Sequence, residues 1–283
     1  MTTIRLVDNK PGRDYAFSMS NEVGSEGLFS LSGKTALVTG GVNGLGRMIA
    51  EGLLGAGARV VVTSRKADAC EQADSELNAI GPAQAIAADF SAPDAVAAFA
   101  ARFAERNDAL DILVNNSGKT WSAPIEKFPD KAWSDVMTIN VQLPFKLVQA
   151  LLPHLLRHAS ADDPARVINI GSIAGKVIEP LRAYSYSASK AAIHQLSRQL
   201  AADLASRHVN VNTLVPGYFP TSMTAHLRDE EDKPKGMADD HIPLRRFGRP
   251  DDIAGAAIFL ASRAGAYVSG AEIVVDGGLS GCR

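Results

Sequence analysis

Cysteine is almost absent: the 283 residues include two, Cys70 and Cys282. One lies in a polar helical stretch and the other beside the C-terminus. They form neither a metal-ligand spacing nor a disulfide framework, so a reducing, cytoplasmic setting is expected. Long hydrophobic runs are missing too; nothing approaches the roughly 18 uninterrupted apolar residues of a membrane span. The opening MTTIRLVDNKPGRDYAFSMS mixes charges with Pro and Gly and lacks the apolar stretch of a signal peptide. No charge sign dominates. A net charge of −2 excludes a global pull toward nucleic acid or an anionic membrane, so any anion site must be local. His194, His226 and His241 show no metal spacing, and structural or solvated roles are expected for all three; no metal site is expected.

What is present is ordinary for a soluble enzyme: 46% hydrophobic and 21% charged residues, enough to bury a sizeable core. Residues 1–28 lack helical or strand periodicity and read as a tail, either a disordered leader or an arm across a neighbour. From Phe29 a regular alternation begins. Short β-branched or apolar runs occur at 35–39 (TALVT), 59–63 (RVVVT), 84–88 (QAIAA), 111–115 (DILVN), 166–170 (RVINI), 209–214 (VNVNTL) and 272–275 (EIVV). Ala- and Leu-rich helical stretches such as 46–55, 92–106 and 187–207 separate them. Seven strands alternating with helices predict an α/β fold: one Rossmann-like, doubly wound domain over 29–283, its parallel seven-stranded sheet covered by helices on both faces. There is no internal repeat and no linker to a second domain.

The first strand runs directly into Thr39-Gly40-Gly41-Val42-Asn43-Gly44-Leu45-Gly46, and a helical pattern follows. Gly40, Gly44 and Gly46 permit positive φ and close backbone approach to a ligand, while free N–H groups and the helix dipole face a pyrophosphate. The spacing is G-x-x-x-G-x-G rather than the general G-x-G-x-x-G. Tight strand-to-helix packing alone could also call for these glycines; their place after the first strand of an alternating chain favours a dinucleotide. The second strand ends Thr63-Ser64-Arg65-Lys66, where an NAD site normally carries a carboxylate for the ribose 2′-OH. Ser64 stands at that position and Arg65 follows. A guanidinium binds a 2′-phosphate bidentately, so NADP(H) is preferred over NAD. Asp89, just past the third strand, is a candidate for the adenine, although an exposed loop aspartate has the same appearance.

Tyr186 and Lys190 form Tyr-Ser-Ala-Ser-Lys at the start of an Ala-rich helix, an i, i+4 pair on one face. A free phenol has a pKa of about 10, so much phenolate near neutrality needs a shift of roughly 3 units, about 4 kcal/mol. A nearby ammonium favours the phenolate, as does an oxidised nicotinamide. In the reductive direction the same phenol donates its proton to the incipient alkoxide. Ser172 follows the strand RVINI and can donate to the substrate oxygen. Tyr184 competes as the tyrosine, but at six residues from Lys190 it points to another helical face and reads as a cleft wall.

These motifs together resemble the short-chain dehydrogenase/reductase family over about 29–278: TGGVNGLG at 39–46, Asp89, NNSG at 115–118, Asn140 in MTINVQLPF, IGS at 170–172, YSASK at 186–190, PGYFPT at 216–221 and YVSGAEIVVDGG. The resemblance implies that Asn140 joins Ser172, Tyr186 and Lys190, holding a helix kink and a water that leads from Lys190. It implies that Lys190 also bonds the nicotinamide ribose and that Asn115 stabilises the central strand. Pro216 and Gly217 would shape the loop over the nicotinamide, with Phe219 and Thr221 holding carboxamide and diphosphate. Asn43, Leu45, Lys66, Phe90, Asn116, Ser117 and Gly118 complete the implied cofactor contacts. Two departures stand out. Ser117 replaces the usual alanine, a small change in local packing. Val42 and Asn43 are neutral where many NADP-type members carry a basic residue, which leaves Arg65 as the main support for NADP(H). Within the family, ARVINIGSIAG, HQLSRQLA and AGAYVSG resemble bacterial 3-oxoacyl-thioester reductases of the rhamnolipid pathway. The resemblance also implies a homotetramer built through helices around 130–157 and 187–207 and the last strand.

On the substrate side, Trp121, Ile173, Ile178, Tyr184, Tyr218, Phe219 and Met223 are expected walls, apolar enough for a hydrocarbon or aromatic body. The stretch 219–247 is expected to be an amphipathic lid; a solvated surface helix is the plainer alternative, and the charge run 229–235 fits it. Arg245 and Arg246 could meet an acidic carrier protein. The expected function is an NADPH-dependent carbonyl reductase or alcohol dehydrogenase acting on a ketone, 3-oxoacyl or bulky and apolar. An NAD-linked dehydrogenase of a steroid, sugar or other secondary alcohol is the alternative, and a non-catalytic dinucleotide sensor is a second.

Overall fold

A computed structural model describes residues 24–92, 94–179, 181–227, 229, 235 and 241–282. Most of the expected tail, 1–23, lies outside them. Its expected boundary moves, because Ser25–Phe29 form one helical turn (α1) and the Leu31 N–H donates to Ala56 O at 2.8 Å. Leu31 is buried, so apolar contact already ties this stretch to the domain.

Seven parallel strands follow: β1 (Thr35–Val38), β2 (Arg59–Ser64), β3 (Ala83–Ala87), β4 (Ile112–Asn115), β5 (Ala165–Ile170), β6 (Val209–Pro216) and β7 (Glu272–Val275). Their spatial order is β3-β2-β1-β4-β5-β6-β7. β1 pairs with β2 on one side (Thr35↔Arg59) and β4 on the other (Ala36↔Ile112). The direction of winding reverses there, and ligands of such sheets bind beyond the carboxyl ends of the strands at that reversal.

Alternation along each strand feeds two cores. Ala36 and Val38 of β1 turn to α2 (Gly44–Gly55), α3 (Ala67–Asn78) and α8 (Pro250–Ala261). Leu37 turns to α4 (Ala95–Ala104), α6 (Leu143–Leu155) and α7 (Tyr184–Leu204). On α6 the buried residues Leu143, Leu147, Leu151 and Leu155 recur every fourth position, the stripe that one helix face needs. A shorter α5 (Asp130–Met137) enters α6 through a π-turn at Thr138–Gln142. A third small cluster joins Ile173, Val215, Leu227, Ile242, Phe247 and Leu279 beneath the loop after β6. Among the described residues no helix is long and apolar enough to cross a membrane.

Candidate active site

The turn after β1 is shaped as a cradle. Gly40 (φ 64°) and Gly44 (φ 54°) adopt the left-handed backbone that only glycine takes without strain. Gly46 was expected to share that freedom but lies inside α2. A Cβ there would stand 2.3 Å from Asn116 Nδ2 and 2.5 Å from Gly40 O, so close packing is what demands glycine. Asn116 Nδ2 donates to Thr39 O (2.8 Å) and Gly40 O (3.2 Å), while Thr39 Oγ1 accepts from the N–H groups of Asn116 and Ser117 at 3.0 Å each. The Asn116 side chain therefore braces the turn rather than reaching toward a ligand. Ser117 Oγ lies against Gly40, Leu45 packs on the core, and Thr221 Cγ2 sits 3.5 Å from the position a Gly44 Cβ would take. Asn43 is the extended residue preceding α2, leaving that helix's first N–H groups facing the cradle.

Beside the cradle opens a cavity of about 330 Å³ lined by Asn43, Ser64, Arg65, Lys66, Asp68, Ala69 and Gln72. Two cations and a hydroxyl at the end of β2 suit a phosphate on an adenosine ribose. Asp89 is exposed, and its Oδ1 accepts from Ser91 N (3.0 Å) and Oγ (2.7 Å). Those bonds, with the Arg65 charge adding to them, hold its carboxyl below the usual range. Phe90 packs edge-on against Phe99 with ring centroids 5.4 Å apart, so its ring belongs to the core. Gly217 N donates to Val275 O at 2.9 Å, which fixes the start of the loop after Pro216.

At the carboxyl end of β5, Ser172 lies near enough to the Tyr186 hydroxyl to favour its ionised form, and Ala174 N donates to Ser172 Oγ at 3.2 Å. Lys190 Nζ lies 5.5 Å from the Tyr186 ring centroid and donates to Ile170 O at 2.7 Å. Burial pushes the Tyr186 phenol above its ordinary value and the Glu179 carboxylate adds to this, against the Ser172 hydrogen bond that lowers it. Burial pushes Lys190 down to about 8. Asn140 sits in the π-turn, as a kink-forming residue should. Its Nδ2 donates to Lys119 O and Ser189 Oγ, both at 2.9 Å, and its Oδ1 accepts from Lys119 N at 2.8 Å. Both side-chain donors thus hold the kink, and the side chain makes no direct bond to Lys190. Asn115 Nδ2 donates to Asn169 Oδ1 at 2.8 Å, which links β4 to β5. A phenol, a hydroxyl and an ammonium converging beyond the sheet can deliver a proton to a carbonyl oxygen or take one from an alcohol.

The family described as enoyl-(acyl carrier protein) reductase matches residues 40–280. The rhamnolipid-biosynthesis 3-oxoacyl-[acyl-carrier-protein] reductase of Pseudomonas aeruginosa is 49% identical over 252 residues, 88% of this chain and 97% of its own. Gluconate 5-dehydrogenase of Gluconobacter oxydans is 36% identical over 254 residues, 89% and 97% of the two chains. A solved Pseudomonas aeruginosa RhlG/NADP active-site complex superposes with a TM-score of 0.85 at 48% identity, covering 90% of this chain and 99% of that one. The chain belongs to the short-chain dehydrogenase/reductase family. It is an oxidoreductase that interconverts a carbonyl and an alcohol.

On the substrate side of this short-chain dehydrogenase/reductase, the expected walls separate into two sets. Trp121, Ile178, Tyr184 and Met223 are exposed, and Tyr184 meets Phe128 edge-on at 5.4 Å, with Phe128 also 6.2 Å from Trp133. Ile173 and Phe219, by contrast, are buried at 2% and 3% and pack in hydrophobic clusters. Tyr218 turns its hydroxyl to Glu179, a carboxylate that no motif singles out. Of the expected lid, Ser222–Leu227 form a 3-10 turn, Leu227 and Phe247 are anchored in the third cluster, and residues 228, 230–234 and 236–240 lie outside the described set. Arg246 is bound to Asp252 (2.5 Å) rather than held out for a carrier protein. His194 takes the structural of its two expected roles: it is 3% exposed, and its Nε2 accepts from the Ser172 N–H at 3.4 Å. Its spacing of four from Lys190 is the signal that would have placed it on the same face. The side chain of His226 lies outside the described set, and His241 is exposed.

Proposed function

We propose that the protein reduces a ketone with an apolar body to a secondary alcohol at the expense of NADPH, with Tyr186 as proton donor. The observation that carries the reading is the convergence of Ser172, Tyr186 and Lys190 beyond β5, beside the glycine cradle. The cradle backbone at Asn43, Gly44, Leu45 and Gly46, with Thr221, would hold the diphosphate. Ser64, Arg65 and Lys66 would hold the 2′-phosphate, Asp89 the adenine, and Lys190 the nicotinamide ribose. Bound there, the nicotinamide supplies or accepts the hydride. Ser172 orients the carbonyl oxygen, and Tyr186 delivers its proton to that oxygen. Burial favours the protonated phenol, the form that reduction requires. The Lys190 ammonium stands near the phenolate left behind and stabilises it.

Exposed Trp121, Ile178, Tyr184 and Met223 support a hydrocarbon or aromatic substrate body, and 3-oxoacyl thioesters are the first class to assay. Tyr186→Phe should abolish turnover while NADPH binding stays measurable by fluorescence; a variant that still turns over would remove the phenol from the mechanism. A panel of 3-oxoacyl thioesters, aryl ketones, steroids and keto-sugar acids, each with NADPH and NADH, separates the substrate readings. Better use of keto-sugar acids would move the assignment to the polyol side of the family.

The assembly is a homotetramer in this reading, in a reducing, cytoplasmic setting that suits two free cysteines. Trp133 on α5, Phe145 on α6 and Val274 on the edge strand β7 are exposed apolar side chains on the elements expected at its interfaces. Sedimentation at micromolar concentration should give four chains; a monomer would refute it.

A further inference from the structure

Two side chains of α7 reach the end of β5, one turn apart. Lys190 Nζ donates to Ile170 O at 2.7 Å, and His194 Nε2 accepts from Ser172 N at 3.4 Å. Between them Gly171 lies so close to the imidazole that a Cβ there would stand 2.3 Å from Nε2 and 2.8 Å from Thr213 Cγ2. The imidazole therefore rests directly on the strand end that presents the Ser172 hydroxyl. Because Nε2 is an acceptor here, a neutral ring must carry its proton on Nδ1. That atom is 3.5 Å from Glu272 Oε2, at the start of β7. Glu272 is held in turn by Lys176 (2.6 Å), just past the turn that follows Ser172, and by Arg198 of α7.

We infer that His194 is a positioning residue for the proposed reduction: as a neutral Nδ1–H imidazole kept in that tautomer by Glu272, it anchors the Ser172 backbone N–H and so fixes the aim of the Ser172 hydroxyl at Tyr186 and the substrate oxygen. The inference rests on the catalytic reading of Ser172 and Tyr186. Ser172 has extended backbone at φ −170°, between a strand end and a short 3-10 turn, so its side-chain direction depends on what holds its main chain. The Gly171 N–H still donates to Leu214 O at 2.8 Å, whereas the Ser172 N–H lies beyond the last paired position, Ile170↔Leu214. The imidazole takes over where the ladder ends. Acting through Ser172, His194 contributes to the rate of the chemical step and leaves cofactor binding alone. A ring protonated on both nitrogens would turn an N–H toward the Ser172 N–H and break the anchor. The charged groups that face the ring are Glu272, Lys176, Lys190 and Arg198. Glu272 favours protonation, and burial and the three cations oppose it.

The test uses full-length enzyme and a short 3-oxoacyl thioester with NADPH, or whichever ketone of the panel is turned over fastest. His194→Leu removes the acceptor at similar volume and should lower kcat about tenfold, the worth of one buried hydrogen bond, with KM and the NADPH dissociation constant changed by less than about twofold. His194→Gln offers an amide oxygen near the Nε2 position and should recover most of that loss. Wild-type kcat in the Leu variant overturns the inference, as does an equal loss in both variants that follows their thermal stabilities. Nitrogen NMR of the wild-type ring is independent of activity and of whether the Leu variant folds: Nδ1–H with a bare Nε2 is expected, and the opposite tautomer refutes the anchor. Tyr186→Phe separates the two proposals. If it stays active, the catalytic reading fails; if it is dead while His194→Leu is fully active, only the role of His194 fails.

Discussion

In the proposed reading, Arg65 is the residue on which cofactor choice turns. It follows Ser64 at the end of β2, lines the cavity beside the cradle, and is close enough to Asp89 for its charge to help keep that carboxyl ionised. No carboxylate occupies the Ser64 position to claim a ribose 2′-OH, and a guanidinium offers a paired donor set to a phosphate. Charge-assisted hydrogen bonds of this type contribute about 1.5–3 kcal/mol. Arg65→Gln should therefore lower kcat/KM for NADPH by about 10- to 100-fold and leave NADH use nearly unchanged. Steady-state assays with both coenzymes check this, and equal losses with both would mean that Arg65 serves the fold instead. Lys66 is the second cation of the cavity. As a compact ammonium it should share the phosphate without fixing its orientation.

Among the elements, the π-turn at Thr138–Gln142 is where α5 becomes α6, and Asn140 ties it to Lys119 and to Ser189 of α7. Asn140→Ala leaves the Lys119 N–H and C=O without their Asn140 partner, at a cost of about 1–3 kcal/mol each, and costs the Ser189 hydroxyl its donor. Chemical denaturation should show a loss on the order of 2–4 kcal/mol, accompanied by a drop in kcat as α7 loses its brace. Stability within error of the wild type would show that the turn holds itself. Strand and helix positions were legible beforehand because alternation and helical periodicity are local. The observed strands fall within two residues of those read from TALVT, RVVVT and their successors. The placement of Ser172, Tyr186 and Lys190, the proposed catalytic groups, was legible for the same reason, each residue lying near a recognisable element end. What could not be read depends on packing between elements. An apolar residue in a loop looks alike whether it is exposed, as Trp121 is, or buried, as Ile173 and Phe219 are. His194 acquires its partner only once α7 is laid against β5, and Gly46 shows its close approach only once Asn116 folds over the turn.

At the scale of the whole molecule, buried titratable groups tie the site to the stability of the domain. Burial pushes His194 down to about 4, while in the unfolded chain it titrates near 6.5. Between those values the unfolded chain binds more protons, so stability rises with pH across about 4 to 6.5 and falls as the solution is acidified. Glu272, held below its usual range by Lys176, His194 and Arg198 against the opposing effect of burial, acts in the same direction at the acid end. Thermal unfolding followed from pH 4 to 7 should thus show a shallower slope for His194→Gln than for the wild type; parallel curves would exclude a buried neutral imidazole. The sheet order separates two kinds of surface. Tyr186, Lys190, His194 and Ser172 are fastened to β5 and α7, whereas Trp121, Ile178 and Met223 sit on connecting segments without sheet bonds. In the proposed reading, chemistry and appetite are thereby encoded in different parts of the chain, so loops exchanged with a relative that handles another alcohol would leave the reacting groups in their places. Such a chimera would inherit its donor's diet and its recipient's turnover machinery.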